Sequence, residues 1–358
     1  MRTFIFVVLA CLLSVTSNAK SIEGLYDARI LVPDQQLASR QAGAREGLLE
    51  VLQKVSGFAP PVDNKVINKA LKIADQYLYQ YSYTTLDNEL AQQVVVGSKQ
   101  LNMRFEGKSI QRLIKAAKLP RWGKNRPSIM VWLAIDDIGE RHVIADDSEH
   151  LAKLALQKAA VVRGLPLVYP VYDLEDAIKL PVEQLWGLFA DPIVAASERY
   201  GAESVLAARV FQGPEGKWKG QWSFFFDGQE RNYLFETDTL DQQVLSGLTV
   251  AAQVLANKFA LKASGLHGNH LKVEVGSVNS LRDYALLTKY LEKMAITERV
   301  VITKLSKNTL AMDLSLNGSF EQFKQALSLD RKLLLNKALP KEGESFEPAE
   351  VIHLSWRP

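Results

Sequence analysis

The chain has 358 residues, of which 47% are hydrophobic and 23% are charged, and its 43 basic and 40 acidic residues give a net charge of +3. This composition excludes a disordered or low-complexity chain. The two signs are interspersed and form no concentrated basic face, so we expect no nucleic-acid partner. Because the length exceeds one ordinary hydrophobic core, we expect two or three domains of roughly 100 residues.

The first 19 residues have the three parts of a secretory signal peptide. Arg2 is basic, residues 4–15 form an apolar run, and Ser17 and Ala19 are small residues before a cleavage point at Lys20. The run is short for a membrane span, which favours cleavage over a retained anchor. The signal peptide predicts a periplasmic protein. Because no later stretch is long and apolar enough to span a membrane, we expect the mature chain to have no transmembrane segment.

Cys11 is the only cysteine and lies inside the apolar run. Lipidation there would require cleavage after Ala10, which leaves a very short signal and places Leu12 where polar linker residues are usual. We therefore do not expect a lipid anchor at Cys11. Cleavage after Ala19 leaves a mature chain without a disulfide, a thiol nucleophile or a thiolate metal site.

Residues 20–127 have the pattern of an α+β domain. The predicted elements are a strand over 25–32, helices over 37–55 and 66–79, a strand of alternating tyrosines over 77–83, a strand over 94–105 and a helix over 109–119. Gly57 is expected to end the first helix. Ser109 is expected to cap the last one.

Residues 128–264 predict an α/β sandwich. An unbroken apolar run over 129–135 is typical of a strand buried on both faces, and Asp227 with Gly228 predicts a hairpin turn. The predicted elements are strands over 129–135, 165–169 and 204–210, a hairpin over 217–226 and 230–236, and helices over 149–163, 185–200 and 240–261. Parallel β-α-β units followed by a hairpin indicate this architecture.

A linker over 265–269 separates a third region, 270–358. The predicted elements are strands over 271–275, 297–305, 309–316 and 351–356, and helices over 280–294 and 320–329. Their order, β-α-β-β-α, resembles a split β-α-β, ferredoxin-like unit. The sequence thus predicts a signal peptide at 1–19 and three modules, at 20–127, 128–264 and 270–358.

A set of short motifs in the first region and at the start of the second resembles a known family. In chain order they are residues 22–26 (IEGLY), 31–33 (LVP), the helix at 40–54 with 55–57 (VSG), the tyrosines over 77–83, Phe105, 119–123 (LPRWG), 126–127 (RP) and 131–133 (VWL). This order resembles the bacterial domain-of-unknown-function 2066 (DUF2066) family, which consists of exported proteobacterial proteins. The resemblance covers most of the mature chain and implies export, but the family supplies no established activity and no catalytic residue.

The middle region carries a second resemblance. Residues 164–168 (GLPLV) and 200–206 (YGAESVL) are similar to envelope assembly domains such as the amino-terminal domain of the translocation protein TolB. Such domains are non-catalytic and bind other proteins. We use this likeness as an analogy only.

The five histidines suggest no metal site. His267 and His270 lie in or beside the predicted linker without a carboxylate to complete a tetrahedral set. His142 and His150 flank an acidic stretch whose oxygens could hold Ca²⁺, but its spacing does not match a calcium-binding loop. We expect a solvated loop before the next helix there, and no metal or cofactor.

Two clusters of aromatic and basic residues are the candidate interaction surface. Arg121, Trp122, Lys124 and Arg126 form a loop that can stack on a ligand or pair with a partner's carboxylates. Its alternative is a structural turn in which Trp122 plugs a domain junction. The second cluster, Trp218 and Trp222, lies on one strand face with Phe224, and that face is either core or a binding surface.

The sequence shows no nucleophile elbow, phosphate-binding loop or dinucleotide fingerprint. We therefore predict a non-catalytic interaction or assembly module of the bacterial cell envelope whose partner is another envelope protein. The alternative is an envelope hydrolase or a carbohydrate- or peptidoglycan-binding protein, because a catalytic triad can assemble from distant residues.

Overall fold

The computed structural model describes residues 20–85, 98–137, 139–261, 269–330, 332–336 and 351–357. Over these residues the chain has a mixed α+β fold with three main sheets, a short two-stranded pairing and ten α-helices. The helices are α1 (Leu37–Ser56), α2 (Lys65–Leu71), α3 (Gly107–Ala116), α4 (Leu151–Arg163), α5 (Leu174–Lys179), α6 (Val182–Trp186), α7 (Ala190–Ser197), α8 (Leu240–Phe259), α9 (Leu281–Lys293) and α10 (Phe320–Asp330).

The strands are β1 (Lys20–Ser21), β2 (Asp27–Val32), β3 (Leu78–Thr85), β4 (Lys99–Phe105), β5 (Asn125–Arg126), β6 (Ile129–Asp137), β7 (Glu140–Val143), β8 (Leu167–Val168), β9 (Ser204–Gln212), β10 (Trp218–Phe226), β11 (Gln229–Thr237), β12 (Asn269–Gly276), β13 (Thr297–Ser306), β14 (Thr309–Leu316), β15 (Leu333–Leu335) and β16 (Ile352–Trp356). The predicted signal peptide, with Cys11, and His267 lie outside the described residues. Within the described ranges, no helix combines the length and apolarity needed to cross a bilayer.

The first sheet is antiparallel, with the strand order β2-β4-β3. Helix α1 packs on it because apolar residues recur at helical spacing, and Ala44, Leu48 and Leu52 are fully buried. The helix ends at Gly57, whose left-handed backbone (φ 81°) lets its N–H donate to the carbonyl of Gln53. The structure confirms this helix and its predicted end.

The second sheet has the order β11-β10-β9-β6-β7, in which β6 and β9 are parallel. Helices α4 and α8 cover one face, and residues around α5, α6 and α7 cover the other. Strand β6 is buried from Ile129 through Ile135, as its unbroken apolar run predicted. The predicted hairpin is also confirmed: Asp227 and Gly228 both have positive φ, as a type I′ turn requires.

The third sheet has the order β13-β14-β12-β16-β15. Strands β12 and β13 are joined through α9, and β14 lies between them and is antiparallel to both. Strand β16 pairs with β12 in parallel, and β15 forms the edge. Leu287, Leu291 and Phe323, from α9 and α10, are fully buried against the sheet.

Two element boundaries in the first region differ from the predictions. Helix α3 starts before the expected cap Ser109, because the Glu106 carboxylate accepts the N–H groups of Lys108 and Ser109. The helix predicted over 66–79 ends at Leu71, and a 3₁₀ turn then leads into β3. The case of Ser109 shows that a short polar side chain at the expected position does not by itself identify the N-cap of a helix.

The helix predicted over 185–200 is divided in the structure. Helix α6 ends at Trp186, Leu188 adopts a left-handed backbone (φ 53°), and α7 then begins at Ala190. A left-handed leucine interrupts an α-helix and costs roughly 1–2 kcal/mol. Its side chain is buried in the core on that face of the second sheet, which accounts for the break.

Candidate functional site

The segment between the first and second sheets, residues 121–126, connects the ends of two helices; we call it the junction segment. Arg121 and Leu261 exchange backbone hydrogen bonds, with N–H to carbonyl distances of 2.8 and 2.9 Å. The N–H of Trp122 donates to the carbonyl of Val55 at 2.7 Å. Leu261 follows α8 and Val55 lies in the last turn of α1. The segment therefore bonds to the ends of two helices that pack on different sheets.

Arg126, the last residue of the junction segment, is completely buried. Its guanidinium donates to five carbonyl oxygens, those of Lys54 (2.6 Å), Gly164 (2.8 Å), Arg163 (2.9 Å), Gly123 (3.0 Å) and Trp122 (3.4 Å). Three of these acceptors lie at the C-terminal ends of α1 and α4, where the helix dipole is negative. Burial lowers the pKa of Arg126 to about 9, so the group stays charged at neutral pH.

Trp122 and two glycines complete the packing around this cation. The guanidinium carbon of Arg126 lies 4.0 Å from the centroid of the Trp122 ring, a cation–π contact. A Cβ at Gly164 would lie 2.8 Å from Nη1 of Arg126, and a Cβ at Gly57 would lie 2.2 Å from Cβ of Ala256. Trp122 and Arg126 are therefore interior residues. Their burial agrees with the alternative prediction for this loop, a structural turn in which Trp122 fills a domain junction.

A cleft with a cavity volume of about 60 Å³, partly open to solvent, lies beside the junction segment; we call it the junction cleft. Its other walls come from the end of α8 and from residues in or next to α9 and α10 of the third sheet. The cations Arg121, Lys124 and Lys293 line it, and the described lining includes no carboxylate. The apolar part of the lining includes Phe259, Leu261, Met294, Ala295, Ile296, Ala326 and Leu329.

Two nitrogens of residues that line the junction cleft have no acceptor among the described residues. Nη2 of Arg121 and Nε1 of Trp122 are both buried without a hydrogen-bond partner. Burial lowers the pKa of Arg121, while Tyr26 and Glu298 act in the opposite direction. A buried donor left unpaired costs about 1–3 kcal/mol. The residues that line the cleft thus carry positive charge, and two of them have an unsatisfied buried N–H group.

The predicted residues separate into two places. Arg121, Trp122 and Lys124 line the junction cleft, where the Lys124 side chain is exposed. Trp222 is fully buried with Phe224 in the core between the second sheet and helices α4 and α8, and Trp218 packs at the margin of the same core. The second cluster is therefore core, the alternative that its alternation with Phe224 allowed.

The acidic stretch around His142 and His150 forms dispersed pairs. Nε2 of His150 lies 3.9 Å from Asp137, and Nδ1 of the same ring accepts the N–H of Ala152 at the start of α4. His142 lies 3.9 Å from Glu140. In the ranges that the structure describes, no three His, Cys, Asp or Glu side chains are grouped so as to hold a metal ion.

Sequence reasoning missed a charged network centred on Asp176, which is fully buried. Its carboxylate accepts from the N–H of Tyr172 (2.9 Å), from Arg199 (3.0 Å) and from the hydroxyl of Tyr200. Nη1 and Nη2 of Arg199 also donate to the two carboxylate oxygens of Asp173, which lowers the pKa of Asp173 to about 2. Burial and the contact with Asp176 raise the pKa of Tyr200 to about 12.

This network joins the start of α5 to the turn before β9. Its groups are directed at one another, so its chemistry is structural. The turn at 200–202 was visible in the sequence as a tyrosine-glycine-alanine motif. Nothing in the spacing of the acidic residues identified their partners, because 23 residues separate Asp176 from Arg199.

The fold and the junction together define a mixed α+β chain with a cationic cleft beside the segment that links its first two sheets. Residues 19–123 match a family model described as "Domain of unknown function (DUF8605)". The resemblance to the DUF2066 family is therefore wrong, since the matched model is that of a different family of unknown function. The motifs used for it were short and report on turns and strand-to-helix packing, which unrelated families share.

A solved structure is also similar to part of the chain. It is the crystal structure of a competence-damaged protein (CinA) superfamily protein from Escherichia coli, with 14% sequence identity, 42% of this chain and 84% of that chain covered, and a TM-score of 0.21. A likeness at this TM-score carries no argument about fold or function. The search of curated proteins found no significant match.

Proposed function

We propose that this chain is an exported, non-catalytic interaction module of the bacterial cell envelope that binds its partner at the junction cleft. The observation that carries the proposal is the cleft itself. Three cations line it, two of its lining residues have an unpaired buried nitrogen, and Arg126 holds the segment to which those two residues belong. Positive charge on a fixed backbone favours recognition over chemistry, because the described lining provides no general base.

The shifted carboxylates of the described residues also support binding over catalysis. Arg199 and backbone N–H groups lower the pKa of Asp173, and burial raises the pKa of Glu50, which pairs with Lys54 at 3.3 Å. Each of these groups is engaged in a contact within the fold, and neither lines the junction cleft. A hydrolase needs at least one such group directed at a substrate site.

We further propose that the three sheets with their helices are three modules, as the sequence predicted. The middle one is an α/β sandwich of the envelope-assembly type, and the last is a ferredoxin-like unit extended by an extra edge strand. Three buried clusters, each drawn mainly from one region, support this division; Trp122 belongs to the cluster of the second region and Leu261 to that of the third. Export to the periplasm, directed by residues 1–19, belongs to the same proposal.

The test is photo-crosslinking in living cells, with a crosslinking amino acid placed at Lys124 or Lys293. The matched control position is Lys158, an exposed residue on α4 outside the cleft. We expect one envelope protein to be captured from both cleft positions and not from the control, in the periplasmic fraction and with the chain beginning at Lys20.

Two results would contradict this function. One is equal capture from all three positions, which would remove the cleft as the binding site. The other is full-length protein that retains Met1 in the cytosol. Turnover of peptidoglycan fragments by the purified protein would support the hydrolase alternative instead.

A further inference from the structure

Two basic stretches of the first region are brought together by the fold. Residues 64–74 contain three lysines, residues 107–119 contain three lysines and an arginine, and neither stretch contains an acid. The two stretches include α2 and α3, which pack against each other. The first region therefore has a positively charged surface, although the whole chain carries a net charge of only +3.

An open groove with a volume of about 790 Å³ lies between α2 and α3; we call it the helix groove. Its volume is comparable to that of clefts that hold drug-sized ligands. Its lining comes from both helices and from the 3₁₀ turn that follows α2. The helix groove shares no residue with the junction cleft, so it is a separate surface.

Three cations line the helix groove: Lys65 and Lys69 on α2, and Arg112 on α3. All three are exposed, and none of them forms an ion pair with a described residue. Nη2 of Arg112 donates to Oγ of Ser109 at 3.0 Å, which is a neutral partner. Glu106, the acid before α3, uses its carboxylate to accept two N–H groups at the start of that helix. The described lining includes no carboxylate, so an occupant with negative charge is favoured.

The rest of the lining is largely apolar. Val66 is 40% exposed and Ile73 is 38% exposed, while Leu113 is buried below them in the core of the first region. Apolar side chains that remain exposed within a concave surface rimmed by polar groups are typical of an interaction site. The occupant thus needs apolar groups as well as negative charge.

The distribution of the cations favours a peptide helix over a single charged headgroup. Lys65 and Lys69 are one helical turn apart, about 6 Å along α2, and Arg112 belongs to the other wall of the groove. A lipid carries its negative charge at one end, whereas a helix can present carboxylates on both sides of an apolar stripe. Grooves of this kind bind amphipathic helices through apolar residues three and four positions apart.

We propose that the helix groove binds an acidic amphipathic helix of a partner protein. The apolar face of that helix lies against Val66, Ile73 and Leu113, and its carboxylates pair with the three cations. The groove is a second binding surface, in addition to the one proposed at the junction cleft.

The test uses a fluorescent peptide of about 14 residues, with leucines three and four positions apart and glutamates elsewhere, and follows its anisotropy as the purified protein is added. One control peptide has lysines in place of the glutamates, and a second has the acidic composition in scrambled order. We expect the acidic amphipathic peptide to bind roughly tenfold or more tightly than either control. Its binding should weaken at high salt, because screening reduces the attraction.

A charge-reversal variant assigns the charged contacts. The double variant Lys69→Glu, Arg112→Glu should lose affinity for the acidic peptide and bind the lysine peptide more tightly, because the attractive and repulsive pairs are exchanged. A variant that had failed to fold would bind neither peptide. Lys289→Glu, at an exposed position of α9 outside the groove, should bind the acidic peptide as the unaltered protein does.

A second pair of variants tests the apolar contact. Ile73→Ser should weaken binding of the acidic peptide several-fold, because it removes hydrocarbon surface from the groove. Val62→Ser is the matched control, since Val62 is 91% exposed and does not line the groove, and it should leave binding unchanged. Circular dichroism checks that both variants fold.

Three results would overturn the proposal: no binding of the acidic peptide, equal binding of the acidic and scrambled peptides, or binding that the charge reversal leaves unchanged. The same titration with phosphatidylglycerol vesicles and with a single-stranded oligonucleotide tests other anionic partners. If either binds more tightly than the acidic peptide and the charge reversal abolishes that binding, the groove is a membrane or nucleic-acid surface and the peptide helix is refuted.

Discussion

Replacing Arg126 by methionine tests whether the junction depends on its buried cation. Methionine matches the aliphatic part of arginine and has no donors, so the variant leaves the five carbonyls that Arg126 serves without their partner. Each buried acceptor left unpaired costs about 1–3 kcal/mol, while removal of the guanidinium recovers a desolvation cost of several kcal/mol. We expect a net loss of about 3–5 kcal/mol in the free energy of unfolding, because the cost of five unpaired carbonyls exceeds the recovered desolvation cost.

The assay is urea unfolding followed by tryptophan fluorescence, with Arg104→Met as the matched control. Arg104 forms a bidentate pair with Asp27 but is 60% exposed. Exposed pairs contribute little to stability, because solvent screens them. If Arg126→Met loses no more than Arg104→Met, the carbonyl cluster does not stabilise the junction. A gain in stability would mean that burial of the charge costs more than its hydrogen bonds return.

Two further substitutions test the fold elsewhere. The pKa of Asp173 is about 2 in the folded protein and 3.8 ordinarily, so its bond to Arg199 stabilises the fold above pH 3.8 and loses this effect as the pH falls through 2. Asp173→Asn should therefore make the melting temperature depend less on pH between 3.8 and 2. An unchanged dependence of the melting temperature on pH would contradict the assignment. Gly247→Ala places a Cβ 2.4 Å from the fixed Trp222 ring and should lower the free energy of unfolding by about 1–3 kcal/mol in a urea titration. Gly47→Ala, whose Cβ meets the flexible end of a methionine at 2.5 Å, is the control and should cost less; equal costs would refute the steric argument.

The elements of the fold followed from the sequence where a local signal determined them. The apolar spacing of α1 with Gly57, the buried run of β6 and the turn at Asp227 and Gly228 all predicted what is observed. Prediction failed where a tertiary packing contact, and not a local propensity, determined the backbone conformation. Leu188 takes a left-handed backbone that its residue type does not favour, because its side chain is needed in the core.

The candidate site was predicted as a loop and not as a junction. Arg121, Trp122, Lys124 and Arg126 were chosen for their chemistry, and three of the four line the junction cleft. The sequence gives no indication that Arg126 is buried, because its acceptors come from residues as far apart as Lys54 and Gly164. The cleft needs α9 and α10, which lie more than 150 residues further along the chain.

The position of Arg126 has a consequence for how the chain can be divided into fragments. The family match ends at residue 123. The carbonyls that accept from Arg126 lie on both sides of that point, at Lys54 and at Arg163 and Gly164. A fragment that ends at residue 123 lacks Arg126, and one that begins at residue 124 leaves the guanidinium without the carbonyl of Lys54. We therefore expect residues 20–164 to fold as one unit.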